Sequence, residues 1–139
     1  MTADLSHEIE VVPAFHDLDP LGIVWHGHYV KYLELARSAL MARFDYDYPQ
    51  MRDSGFAWPI VDMHLKYVRP ARYGQRLKVL ARITEWENRL RVDYRISDAL
   101  DGHCLTKAHT IQVAVALADG EMQYLCPAVL GQKLGVTPC

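Results

Sequence analysis

The chain has 139 residues, of which 50% are hydrophobic and 23% charged, and its formal net charge is −2. That is the size of one ordinary globular domain covering 1–139, long enough to bury a core without disulfide or metal staples. Basic residues are scattered along a nearly neutral chain, which excludes a protein built to grip the phosphate backbone of nucleic acid.

The opening segment MTADLSHEIEVV carries acidic residues where a signal peptide needs a basic flank. No stretch approaches the ~18 apolar residues of a membrane span, so a cytoplasmic protein is expected. Residues 8–15 (EIEVVPAF) read as a first strand. A polar loop follows, and then Tyr29–Phe44, in which 11 of 16 residues are apolar. A helix this apolar cannot sit with half its girth in water and is expected to be wrapped. Residues 49–54 are a candidate second, short helix.

The remainder alternates with period two. Val61, Met63, Leu65 and Tyr67 form one apolar set within 58–69, and Leu77, Val79, Ala81 and Ile83 another within 76–86. Leu90, Val92, Tyr94 and Ile96 make a third, and Ile111, Val113, Val115 and Leu117 a fourth. Asp101-Gly102, Asp119-Gly120 and Arg72-Tyr73-Gly74 supply hairpin turns between them. The sum is an α+β domain with the hotdog arrangement, a long antiparallel β-sheet wrapped around one central α-helix. The opposite sheet face is expected to carry Thr84, Thr110, Gln112, Ala114 and Ala116, small residues that suit either solvent or a neighbouring subunit. Cys104, Cys126 and Cys139 are odd in number, widely spaced and without a CxxC pair, as reduced cytosolic thiols are.

The polar loop, His16-Asp17-Leu18-Asp19-Pro20-Leu21-Gly22-Ile23-Val24-Trp25-His26-Gly27-His28-Tyr29, admits three readings. Its histidines and aspartates are metal donors, but His26 and His28 at i, i+2 do not share a face at a helix start. In a structural reading Asp17 or Asp19 caps a turn that Pro20 and Gly22 shape, and the histidines are surface polar groups. In the third reading Asp19 is a carboxylate aimed at a helix N-terminus, whose free N–H groups around His26 and Gly27 form an oxyanion site. A carboxylate so placed can serve as nucleophile or general base toward an acyl carbonyl.

Asp17-x-Asp19-x-x-Gly22-Ile23-Val24-x-His26-x-x-Tyr29, running into Glu34-x-Ala36-Arg37, closely resembles the signature of the 4-hydroxybenzoyl-CoA thioesterase family of hotdog acyl-CoA thioesterases. Trp58-Pro59-Ile60-Val61 and the Tyr67–Gly74 turn look like further family counterparts, so the likeness runs roughly from Glu8 to Pro127. It implies an acyl-CoA thioesterase without metal or redox cofactor, the coenzyme A thioester being the substrate. Asp19 would be the catalytic carboxylate, and the amides of His26 and Gly27 would polarise the thioester carbonyl. His26 matches the position that is His in the short-chain acyl-CoA branch, which makes it the second catalytic candidate.

The resemblance also implies a homo-oligomer, a tetramer built as a dimer of dimers, with the strand near Trp58–Val61 covering a partner's Asp19 loop. Substrate contacts are then expected from Trp25, Tyr29, Trp58, Pro59 and Ile60, with Phe56 nearby. Arg69, Arg72, Arg89 and Arg91 are the cations offered to the nucleotide of coenzyme A. The basic run that follows the tryptophan in the benzoyl branch is thinner here, Glu87-Asn88-Arg89 after Trp86. Two other activities are compatible with the residues. A hydratase or dehydratase on 3-hydroxyacyl or enoyl thioesters would use His26 and Glu34, although Lys31 and Arg37 one turn away suit an ion pair with Glu34. A non-catalytic acyl-CoA binder would have no need of the polar geometry at Asp19.

Overall fold

The computed structural model describes residues 4–136; Cys139 lies outside them. Strand β1 (Ser6–Val11) is followed by two single-turn 3-10 segments, Phe15–Asp17 and His26–His28, of which the second runs into helix α1 (Tyr29–Arg43). Then come α2 (Tyr48–Asp53), β2 (Phe56–Ala57), β3 (Ile60–Tyr67), β4 (Leu77–Glu85), β5 (Leu90–Asp98), β6 (Cys104–Gln112), β7 (Val115–Ala116) and α3 (Ala128–Leu134). The five long strands form one antiparallel sheet in the order β1-β4-β5-β6-β3, and β2 pairs with β7 in a separate two-stranded ribbon. This is the expected hotdog architecture, a five-stranded antiparallel sheet with one long central helix.

Alternation fixes the inner face. Leu77, Val79, Ala81 and Ile83 on β4 and Leu90, Val92, Tyr94 and Ile96 on β5 are all buried. Against them α1 lays Tyr29, Tyr32, Leu33, Ala36 and Leu40, spaced i, i+3, i+4, i+7, i+11 as one face of a helix requires. Asp47 caps α2, accepting from the Tyr48 N–H at 2.8 Å, and Pro49 stands in its first turn.

Three expectations change. The first strand ends at Val11, because Pro13 cannot donate to the ladder and Phe15–Asp17 turns into a 3-10 segment. The helix is not wrapped all round: Leu35 is 51% exposed, and Glu34 and Ser38 share its open side. The small-residue outer face is also absent. β6 begins at Cys104, several residues before the apolar run that announced it, and this brings Thr106, Ala108, Thr110 and Gln112 onto the helix side. Thr110 is fully buried and hydrogen-bonded to the Tyr94 hydroxyl at 2.8 Å, while the Gln112 amide donates to the Trp58 carbonyl at 2.8 Å. The outward face instead presents Lys66, Lys107 and Arg95 directly opposite one another, beside a stacked His64–His109 pair with ring centroids 5.5 Å apart.

A β-bulge between Ile60 and Asp62 shifts the phase of β3, which turns Ile60 inward and leaves Val61 56% exposed. Leu33 sits at the centre of the packing with no exposed surface. Leu33→Ala is expected to lower the unfolding free energy by about 2–5 kcal/mol, read by urea denaturation with an unchanged slope.

Candidate active site

The loop before α1 is organised by a buried charge. Asp17 is 2% exposed, and its carboxylate accepts from Lys31 Nζ at 2.6 Å, the Tyr32 hydroxyl at 2.7 Å and the Ala14 N–H at 3.1 Å. Burial alone would raise its pKa, but the hydrogen bonds from Lys31, Tyr32 and Ala14 outweigh that and hold the carboxyl far below the usual range. Its backbone carbonyl accepts the Trp25 N–H at 2.9 Å, so the same residue ties both ends of the loop. Asp17 is therefore occupied with structure.

Asp19 stands at the tip. Leu18 and Val24 form an antiparallel bridge, the Asp19 N–H bonds the Ile23 carbonyl at 2.8 Å, and the Gly22 N–H bonds back to the Asp19 carbonyl at 3.0 Å. So tight a reversal needs a positive φ, which Gly22 supplies at +78°. Asp19 Oδ1 accepts the Leu21 N–H at 2.8 Å, which fixes the side chain and leaves Oδ2 without a donor among the described residues.

The 3-10 turn His26–His28 presents the start of α1. The His28 N–H bonds the Trp25 carbonyl at 2.9 Å, whereas the N–H groups of His26 and Gly27 meet no acceptor among the described residues. The Trp25 indole lies flat over Gly27, so close that a Cβ there would collide with the ring. The ring of Trp25 also packs on those of His26 and His28, with centroids 5.0 and 5.3 Å apart. Tyr29 is 2% exposed; its hydroxyl accepts the Ala71 N–H at 2.9 Å, and what it contributes is a fixed helix start.

Trp58 and Pro59 lie elsewhere, on a cavity of about 780 Å³ between the open side of α1, α2 and the β2–β7 ribbon. Its walls are mainly apolar, with Leu35, Met41, Met51 and Phe56 prominent, and Glu34, Arg37 and Gln112 add polar groups. The Trp58 indole N–H reaches the Tyr46 hydroxyl at 3.2 Å and holds the ring in place. Ile60, at the bulge, pairs with Gln112. Glu34 is bound to Arg37, as the helical spacing suggested, while Lys31 goes to Asp17. The site thus has two parts within one protomer, the Asp19–Gly27 loop and the Trp58 cavity.

Residues 13–134 match the model of the thioesterase-like superfamily. The chain belongs to that family. YneP of Bacillus subtilis, named as a candidate acyl-CoA thioesterase, is 35% identical over 68 residues, 49% of this chain and 48% of its own length. A candidate esterase of Synechocystis, sll0410, is 31% identical over 129 residues, covering 91% of this chain and 77% of its own. Among solved structures, a 1,4-dihydroxy-2-naphthoyl-CoA thioesterase from Synechocystis superimposes with a TM-score of 0.83 at 24% identity, over 94% of this chain and 96% of that one. An Asp-to-Asn mutant of 4-hydroxybenzoyl-CoA thioesterase complexed with 4-hydroxybenzoyl-CoA gives 0.81 at 21%, over 94% and 99%.

For a thioesterase-superfamily member, the remaining side chains sort by what they touch. The four arginines do not form one patch. Arg69 and Arg72 line a small groove with Asp98 and His103, and Arg69 lies 2.9 Å from His103 Nδ1. Arg89 and Arg91 sit at the other end of β5, roughly 20 Å away at the strand rise, and are paired with Glu85 and Asp93 at 2.9 Å each. Among the described residues no three metal-donating side chains gather, and no helix is long and apolar enough to cross a membrane. Burial pushes the Cys126 thiol up to about 12, with the Glu85 charge adding to the shift, so it stays protonated. Sequence reasoning did not single out Tyr67, whose hydroxyl donates to the His26 carbonyl at 2.7 Å, nor Gln112 in the cavity. Both contacts join distant segments and leave no local pattern.

Removing the Asp17 charge leaves Lys31 and Tyr32 without their acceptor. Asp17→Asn is expected to cost about 2–3 kcal/mol at pH 7. Because the folded pKa is depressed, the contribution is present above the unfolded carboxyl value of ~3.9 and fades as pH falls below it. Thermal melts of the two proteins should therefore converge toward pH 2.

Proposed function

We propose that this protein hydrolyses an acyl-CoA thioester to the free acid and coenzyme A, with Asp19 as the catalytic carboxylate. The observation that carries this reading is the pairing of a carboxylate oxygen free of donors with two unpaired N–H groups at a helix start, on one loop held by a buried ion pair. Asp19 attacks the thioester carbonyl carbon or deprotonates the water that does. The developing oxyanion takes hydrogen bonds from the Gly27 and His26 amides, and collapse of the tetrahedral species expels the thiolate of coenzyme A; where Asp19 is the nucleophile, water then cleaves the acyl-aspartyl anhydride, which releases the acid and restores the carboxylate. His26, exposed beside Trp25, orients the thioester or passes a proton to the leaving sulfur. An Asp-to-Asn mutant of the structurally similar 4-hydroxybenzoyl-CoA thioesterase was crystallised with its thioester, which supports giving an aspartate this role. The dehydratase reading needs a free Glu34, and that side chain is held by Arg37.

Completion of the site calls for a second protomer. β3 is one of the two edges of the sheet, and Val61 and Tyr67 on it and Val68 just beyond it are each 46–56% exposed, a strand suited to pairing with its own copy. Such pairing brings the Trp58–Ile60 segment and the cavity of one subunit to the Asp19 loop of the other. We place the working enzyme in the cytoplasm as a dimer of dimers, using no metal or redox cofactor. Arg69 and Arg72, less neutralised than Arg89 and Arg91, take the nucleotide phosphates.

Thiol release from a panel of acyl-CoAs tests the chemistry. Asp19→Asn is expected to lose at least about a thousandfold in turnover with the fold intact, and His26→Ala about tenfold. Near-normal hydrolysis by Asp19→Asn would overturn the assignment. Joint replacement of Arg69 and Arg72 by Gln should raise KM several-fold at unchanged kcat, whereas the same change at Arg89 and Arg91 should leave both constants near their starting values.

A further inference from the structure

We infer that Tyr67 is a positioning residue for the reaction: its hydroxyl clamps the His26–Gly27 peptide so that the Gly27 N–H is aimed at the oxyanion. The inference rests on the proposed role of the Gly27 amide and adds a residue outside the loop that carries it. The Tyr67 hydroxyl donates to the His26 carbonyl at 2.7 Å, across 41 residues of sequence. The peptide unit is planar and trans, so a carbonyl held on one side fixes the direction of the N–H on the other. Donation to the carbonyl also polarises the amide and strengthens its N–H as a donor, by about 10–30% per bond in a hydrogen-bonded chain.

The tyrosine is itself fixed. Its ring meets that of Tyr29 edge-on, with centroids 5.1 Å apart and planes at 75°, and approaches the His26 ring at 6.5 Å. Tyr29 in turn is pinned by the Ala71 N–H. Partial desolvation raises the pKa of the Tyr67 hydroxyl above the ordinary tyrosine value, which favours its donor form. The helix start faces a developing charge with two free donors; the Trp25 carbonyl of the first peptide is held by the His28 N–H, and the His26 carbonyl of the second is held by Tyr67.

The test compares wild type, Tyr67→Phe and Asp19→Asn in the thiol-release assay. Tyr67→Phe keeps the ring and its packing and removes only the hydroxyl. It is expected to lower kcat about tenfold, less than outright loss of an oxyanion donor, with KM within twofold and the melting curve unchanged. In isotope-labelled protein the Gly27 amide proton should move upfield in the same variant, a readout independent of turnover. Wild-type kcat in Tyr67→Phe, a change in KM alone, or an unmoved Gly27 resonance would each overturn the inference while hydrolysis still requires Asp19. Absence of hydrolysis in the wild type would overturn the function itself, and this role with it.

Discussion

The active loop depends on one buried charge. Asp17 reaches helix α1 through Lys31 and Tyr32, closes its own turn through Ala14, and holds the far strand of the loop through Trp25. An unpaired carboxylate in that place would be strongly disfavoured, so the loop is held in the one arrangement that supplies all its donors. Two aspartates two residues apart consequently take opposite roles. Asp17 is spent on structure because it is surrounded by donors, and Asp19 keeps an oxygen without a donor among the described residues because Leu21 occupies only one side of its carboxylate.

The central helix follows a second constraint, that a single sheet covers only one side of a cylinder. Tyr32, Leu33, Ala36 and Leu40 are fully covered by the sheet, while Leu35, Glu34 and Ser38 look onto the large cavity. An apolar helix with an uncovered flank is the natural wall for an apolar acyl group. Of the polar groups along that wall, Arg37 and Gln112 are tied to Tyr94 and Trp58, and Glu34 to Arg37.

Much of this was legible from residues alone. The strict alternation of β4 and β5 and the apolar run of α1 define the sheet and helix, because burial on one face leaves a periodic trace. Asp19, Gly22, His26 and Gly27 were legible as a loop because turn chemistry and a helix start are local. β6 was not, since its inward positions hold the polar residues Thr106, Thr110 and Gln112, and the bonds of Thr110 to Tyr94 and of Gln112 to Trp58 join segments distant in sequence. The single-residue bulge at Ile60 erased the phase of β3 in the same way. The division of the arginines between two ends of β5 and the contact from Tyr67 to His26 are likewise products of the tertiary fold.

The row of Lys66, Lys107 and Arg95 on the outer face bears on how copies of the chain can meet. Laid sheet to sheet through that row, two protomers would set cation on cation. At ordinary ionic strength the Debye length is about 10 Å, comparable with the spacing of packed sheets, so salt would screen this repulsion only in part. Stacking through that row is disfavoured, whereas β3 itself offers charges of both signs along its edge, Asp62 as well as Lys66. Association across the face should accordingly gain more from added salt than association along the edge, a distinction that turns on three cationic side chains, one of which, Lys66, is the neighbour of Tyr67.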